Sequence, residues 1–311
     1  MSRDAFSYDP QDTRAASPRD DRSHRRSTPP DSRDRIDSGR NEGHPQQSAD
    51  GREQQPARAS RSESPRAYYL RDKAYFLRDS ELHSLAEVGK FRVIAAPDLA
   101  KYAYGGDHAR MEKDIHHLGR LGLLTDRTVE ISQKKTLRIL TLTKRGHRIL
   151  KGAAQLSDRQ TAYHGLRKPR EAKHDADLYR LYQKERARIE RSGGRPLRIF
   201  LDYELKKNLN HDLALLGPDN DNLERKAALA EKHGLQVVNG KIPLPDLRLE
   251  YETPEGEVRH VDLELATRDY RPRGLAEKAK AGFALYSRPE DAGRLRRVLD
   301  EREITAGILS L

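Results

Sequence analysis

The chain has 311 residues and a formal net charge of +11, and it contains no cysteine. The absence of cysteine excludes disulfides and thiolate metal sites, and no apolar run approaches the roughly 18 residues of a membrane-spanning helix. We therefore expect a cytoplasmic protein without a secretory signal, whose basic charge favours a polyanionic partner, nucleic acid before an anionic membrane surface.

Residues 1–66 consist mainly of Arg, Ser, Asp, Pro, Gln and Gly, with few aliphatic side chains. Such a segment cannot bury enough apolar surface to offset the entropy of ordering it, so we predict a disordered polar tail. Its 13 Arg nearly balance its 12 acidic residues, which leaves +10 of the net charge to residues 67–311. The charge that would attract a polyanion is therefore expected in the folded region.

Residues 67–155 have the pattern of a winged helix-turn-helix domain. From Asp79 onward, three helices are followed by two strands and a closing helix. The helices are predicted in "RDSELHSLAEVGK", in "APDLAKYAY" with its Pro-Asp start, and in "DHARMEKDIHHLGRLGLL". Alternating strands follow in "LLTDRTVEIS" and "TLRILTLT", and Thr143 is predicted to cap the closing helix.

The third helix carries a basic face opposite its apolar stripe. The members of this face are Arg110, Lys113, His117 and Arg120. The turn between the two strands, or wing, and the strand after it add Lys134, Lys135 and Arg138. Because cationic charge recurs on both helix and wing, we predict that the helix enters the major groove of double-stranded DNA and that the wing contacts phosphates. The alternative is a solvated basic face on a winged helix that binds protein.

Residues 156–192 are predicted to connect this domain to a second one through the helix "EAKHDADLYRLYQKERARIERSGG". His174 in this helix has the expected role of a capping or surface histidine, because no second histidine lies at metal-binding spacing. Residues 193–311 then alternate between strands and helices. A strand is predicted in "RPLRIFLDYEL", a helix in "NDNLERKAALAEKHG", helices at 272–287 and 290–301, and a last strand in "ITAGILSL". The chain as a whole is predicted to be α/β of the α+β kind, with a mixed sheet in its second domain.

The segment "PLPDLRLEYETPEGEVRHVDLEL" reads as a hairpin that carries three acids. Asp262 and Glu264 share one face of its second strand because residues two apart point the same way, and the hairpin can bring Asp246 alongside them. Three converging carboxylates repel one another unless a divalent cation lies between them, and such ligands suit Mg²⁺ or Mn²⁺. That ion would activate a water and stabilise a phosphate under attack. The alternative is a solvated sheet face.

Several motifs follow one another in a recognisable order. They are "APDLAKYAY", "LGRLGLL", "TLTKRGHRIL", "KHDADLYRLY", "DYELKK", "LPDLRLEY", "HVDLELAT" and "LAEKAKAGFALY". In this succession residues 79–311 resemble the replication-relaxation family of bacterial mobile-element proteins, a group similar to conjugative mobilisation accessory proteins. The resemblance implies a DNA-binding winged helix joined to a PD-(D/E)XK nuclease-like domain. It also implies a role in plasmid or conjugative replication or mobilisation, with a relaxase or replication complex as a possible partner.

The resemblance also assigns residues to a nuclease site. Asp246 matches the proline-linked metal ligand, Asp262 and Glu264 match the acidic pair, and the upstream glutamate is Glu204. The usual lysine is missing because Ala266 lies two positions after Glu264, so the expected substitutes are Lys278 and Lys280 of the next helix.

Two alternatives to a metal-dependent DNA endonuclease or nickase stay open. One is a transcriptional or replication regulator without chemistry, and the other is a structural adaptor. The sequence predicts neither the DNA sequence recognised nor the oligomeric state.

Overall fold

The structure, a computed structural model, describes residues 64–132, 135–215, 222–268 and 270–311. These residues form a mixed α/β fold whose sheets have two, three and five strands, which confirms the predicted class. Within the described ranges, no helix combines the length and apolar character needed to cross a membrane. The predicted tail lies outside the described residues up to position 63.

A two-stranded antiparallel hairpin precedes the winged helix. Its strands are β1 (Arg66–Leu70) and β2 (Lys73–Leu77). Alternate residues point inward, so that Tyr75 and Leu77 are buried while Phe76 stays exposed. The sequence pattern does not predict this hairpin, because five-residue strands beside a polar tail give only a short alternating pattern.

The next elements form the predicted winged helix. In chain order they are α1 (Asp79–Phe91), β3 (Ile94–Ala95), α2 (Ala96–Ala103), α3 (His108–Arg120), β4 (Leu124–Ser132), β5 (Lys135–Leu142) and α4 (Lys144–Gly152). The strands pair antiparallel in the order β3–β5–β4. The predicted helices and strands of this region are therefore confirmed, and the short strand β3 is added to them.

Local sequence explains where these helices begin. The Asp107 side chain accepts a hydrogen bond from the backbone N–H of Arg110 and so caps α3. The Thr143 hydroxyl accepts one from Gly146 N–H at 3.0 Å, which confirms the predicted cap of α4. A Cβ at Gly146 would lie 1.9 Å from the Leu123 carbonyl oxygen, so only glycine lets α4 approach the strand this closely.

A long helix, α5 (Ala172–Arg191), follows a short 3-10 turn at Pro169–Glu171. Its Tyr179 is fully buried and meets the ring of Phe91 edge-on, with ring centroids 5.1 Å apart. The largest buried apolar cluster runs from α1 through α5 into the five-stranded sheet. Helix α5 therefore packs on the winged helix and on that sheet. The predicted boundaries at residues 155 and 192 stay predictions.

The second region is built on a five-stranded sheet. Its strands are β6 (Arg195–Leu201), β7 (Leu247–Glu252), β8 (Val258–Ala266), β9 (Ala284–Ser287) and β10 (Ile308–Ser310). The order is β10–β9–β8–β7–β6, antiparallel from β6 to β8 and parallel from β8 to β10. Its helices are α6 (Asp202–Leu215), α7 (Leu223–Lys232), α8 (Pro272–Lys280) and α9 (Pro289–Asp300).

Two predicted elements of this region were wrong in extent. The strand predicted in "RPLRIFLDYEL" ends at Leu201, and α6 begins at Asp202 because Leu205 and Leu209 bury one helical face. The helix predicted to 287 ends at Lys280, where Gly282 takes a φ of +80° that stops it. The apolar residues that follow form β9.

Candidate nucleic-acid interface and acidic site

Helix α3 presents a basic face away from the core. Met111, Ile115 and Leu118 are buried on one side, which confirms the predicted apolar stripe. The long cationic side chains on the other side, all exposed, are Arg110, Lys113 and Arg120. These side chains can reach a surface laid against α3.

His117 belongs to the same predicted face but turns toward the protein. Its Nδ1 lies 2.6 Å from Oε1 of Glu81, a fully buried carboxylate at the start of α1. Burial by itself would raise the pKa of Glu81, but hydrogen bonds from Arg78 and His117 outweigh it and lower that pKa. His117 therefore ties α3 to α1.

The described cations of the predicted wing differ in their contacts. Lys135 is exposed, and Lys134 lies outside the described residues. Arg138 is partly exposed and is bound by two acids of the protein, with its Nε 3.0 Å from Asp126 Oδ1 and its Nη2 2.9 Å from Glu112 Oε2. Hydrogen bonds to both acids raise the pKa of Arg138 above its usual value. The guanidinium thus fixes the wing against α3.

The structure brings Asp246 and Glu264 together at the end of the sheet. Asp246 immediately precedes β7, and its backbone N–H donates to Oε2 of Glu264 at 3.1 Å. The Asp246 carboxylate accepts a hydrogen bond of 2.9 Å from the Leu265 N–H. The same Oδ2 lies 3.2 Å from Nε2 of His174, in the first turns of α5.

Glu264 has no exposed surface and binds a lysine of the next helix. Lys278 Nζ lies 2.9 Å from the Glu264 carboxylate, which also accepts a hydrogen bond from the Tyr270 hydroxyl. Burial raises the pKa of Glu264, as does the negative charge of Asp246, while Lys278 opposes the shift. The same ammonium group donates to the carbonyl of Leu244.

Asp262 is bound elsewhere on the same sheet face. It lies directly opposite Arg248 in the β7–β8 ladder. Arg248 forms a bidentate pair with it, with Nε to Oδ1 at 2.6 Å and Nη2 to Oδ2 at 2.8 Å, and both side chains are buried. Two further Arg248 donors reach the carbonyls of His233 and Gly234, at the end of α7.

The two other predicted catalytic residues make no hydrogen bond to these acids in the described part of the chain. Glu204, in the first turn of α6, accepts hydrogen bonds from Arg198 and from the Tyr163 hydroxyl, each at 2.5 Å. Lys280 is exposed at the end of α8. The structure thus places only Lys278 beside the Asp246–Glu264 pair.

Two of the three carboxylates, Asp262 and Glu264, do not fit the divalent cation that the resemblance implies. Both oxygens of Asp262 are bound by Arg248, and those of Glu264 by Lys278, Tyr270 and a backbone N–H. Mg²⁺ needs carboxylate oxygens that face solvent, because it keeps several waters in its octahedral shell. Across the described part of the chain, no group of three or more His, Asp or Glu side chains is placed to hold a metal ion.

Asp246 also lines a cleft of about 960 Å³, which the sequence pattern does not predict. Beside it lie Asp202 and His174, and exposed cations of the rim include Arg167, Arg170 and Arg268. Burial opposes charge on His174, but hydrogen bonds to Asp175 and Asp246 outweigh it and raise the pKa of His174 to about 10. His174 is therefore cationic at neutral pH. Its only sequence signal was the motif "KHDADLYRLY", which has no spacing relation to the hairpin.

Comparison with known proteins gives little. No protein-family model matches the chain, and no curated protein matches it. A solved structure, PadR of Bacillus subtilis in complex with operator DNA, is similar at 17% identity with a TM-score of 0.22. The match covers 49% of this chain and 78% of that chain.

Proposed function

We propose that this protein binds double-stranded DNA through the exposed face of α3 and the wing. The observation that carries the proposal is the exposure of Arg110, Lys113 and Arg120 along the third helix of a winged helix. In this fold the third helix is the element that enters a major groove, and long cations on it neutralise phosphates. The charge of +10 on residues 67–311 favours the same partner.

The contacts of Arg138 support this docking geometry. A groove-binding helix and a wing reach the same duplex only if their relative orientation is fixed. Arg138 on β5 bridges Asp126 on β4 and Glu112 on α3, so it holds the wing and helix in one arrangement. Lys135 at the wing then lies on an element whose position relative to α3 is set.

The proposal is tested by the salt dependence of duplex binding, measured by fluorescence anisotropy with the full chain. The variant Arg110→Ala/Lys113→Ala/Arg120→Ala should bind more weakly. The magnitude of its negative slope of log K against log salt should fall by roughly 3, or about 1 for each lost phosphate contact. Its matched control, Arg294→Ala/Arg296→Ala/Arg297→Ala, removes three exposed charges from α9. Equal losses in both variants would mean that binding reflects net charge and not α3.

The role in a mobile element is a narrower proposal. It is supported by the order of motifs from "APDLAKYAY" to "LAEKAKAGFALY", and it places the protein in the cytoplasm with plasmid or conjugative DNA. A relaxase or replication complex would be its partner. The test is binding to duplexes from the transfer and replication origins of the element that encodes the chain, against duplexes of scrambled sequence. Equal affinity for all of them would remove the support for this role.

Of the two forms that the nuclease-like region could take, the contacts favour the non-catalytic one. The alternative, a Mg²⁺- or Mn²⁺-dependent endonuclease or nickase, needs oxygens that Arg248 and Lys278 now bind. We expect purified protein to leave supercoiled plasmid intact in either metal. Nicking by the wild type that disappears in Asp246→Ala would establish the enzyme instead.

A further inference from the structure

Each buried acid of β8 is matched by a cation from the chain itself. Arg248 binds Asp262, and Lys278 binds Glu264. We propose that these two side chains are internal counter-ions that take the place of a divalent metal and fasten the acidic hairpin to α7 and α8. These contacts within the hairpin do not depend on whether the protein binds DNA.

The Arg248 contacts connect three elements. The guanidinium uses two donors on Asp262 across the ladder and two on the carbonyls of His233 and Gly234. Carbonyls at a helix C-terminus carry partial negative charge, so a cation is stabilised there. A buried ion pair offsets its desolvation only when the remaining donors and acceptors are satisfied, and here four donors have partners. Arg248 thereby joins β7, β8 and the end of α7.

The Lys278 contacts connect α8 to the hairpin in the same way. Its ammonium binds Glu264 of β8 and the carbonyl of Leu244, which lies just before β7. The Phe283 ring lies below it, 5.6 Å from Nζ to the ring centroid. A divalent ion between Asp246 and Glu264 would share Glu264 with this ammonium, and two cations at one carboxylate repel each other.

The third acid of the group also has partners within the protein. Asp246, the third acid, is bound by the Leu265 N–H and by His174. Every carboxylate that the sequence offers to a metal therefore has donors from the protein. The hairpin is expected to fold and to remain stable when divalent ions are removed.

The experiment is calorimetric titration of the full chain with MnCl₂, together with thermal unfolding in EDTA and in millimolar Mn²⁺. The wild type should show no uptake of Mn²⁺ and the same Tm in both solutions. Lys278→Met keeps the apolar stem and removes the charge, so its Tm in EDTA should fall by roughly 10 °C. Lys280→Met, two positions along the same helix and exposed, should match the wild type.

Two results would overturn the proposal. One is Mn²⁺ uptake by the wild type that Asp246→Asn abolishes. The other is a Lys278→Met protein as stable in EDTA as Lys280→Met. If Lys278→Met does not fold, the wild-type titration still decides whether the site takes a metal, and Lys278→Arg, which keeps the charge, should fold.

Discussion

Helix α3 and strand β8 carry charged residues at the period of their element, but the two regions use that charge in opposite ways. On α3 the cations Arg110, Lys113 and Arg120 lie opposite the buried stripe and are exposed at the surface. On β8, Asp262 and Glu264 lie under helices and are bound by Arg248 and Lys278. A charge pattern therefore indicates a binding site only when packing leaves it uncovered.

Loss of the buried ion pair between Arg248 of β7 and Asp262 of β8 should have the largest effect. Arg248→Met leaves Asp262 buried without a cation, and we expect the free energy of unfolding to fall by about 3–5 kcal/mol. Chemical denaturation followed by circular dichroism measures it. The control residue Arg259 lies on the neighbouring strand β8 and pairs with Glu257 at the surface, so Arg259→Met should leave the stability unchanged. If Arg248→Met is as stable as this control, the buried pair does not stabilise the hairpin.

A smaller effect is expected at Glu81, a buried acid of α1 that is bound by His117 of α3. Its pKa is lowered in the folded protein, so its stabilising contribution is present above the ordinary value of 4.5 and is lost as the pH falls through the folded pKa. Glu81→Gln should lose about 1–3 kcal/mol at neutral pH and show a shallower loss of stability in acid. Unfolding at a series of pH values measures both effects, with exposed Glu301→Gln as the control. Parallel pH profiles for Glu81→Gln and the wild type would contradict this account.

Arg138 should show a smaller change, in DNA affinity and not in stability. Its pairs are partly exposed, so its removal should alter stability by no more than about 1 kcal/mol. If it positions the wing, Arg138→Ala and Arg138→Lys should both weaken duplex binding, by up to about fivefold, because lysine cannot form the two-sided contact. Anisotropy titrations compare them. Full affinity in Arg138→Lys would show instead that its charge contacts phosphate.

Local patterns were enough to predict most of the winged helix. The Thr143 cap and the stripe of Met111, Ile115 and Leu118 depend on neighbours in sequence, and both are present. The β1–β2 hairpin, α6 and β9 were missed because short strands and a strand-to-helix change leave weak periodic signals. The residues of β9 form a strand because they pair in parallel with β8 on one side and β10 on the other. Both partners are distant in sequence, so this pairing is not a local signal.

The acidic site shows the same limit. The shared face of Asp262 and Glu264 follows from the period of a strand and could be predicted. The partner of Asp262 could not, because it depends on the register that sets Arg248 opposite it and on the position of α7. His174 reaches Asp246 only through the packing of α5 on the sheet. Contacts between distant segments decided which charges remained available.

The most direct test of DNA binding by α3 is photocrosslinking to duplex DNA. A photoreactive amino acid would be placed at Lys113 on α3 and, in a second protein, at Arg296 on α9, both exposed positions. We predict that the α3 position crosslinks to DNA and that the α9 position does not. Crosslinking from α9 with none from α3 would contradict the assignment of the interface.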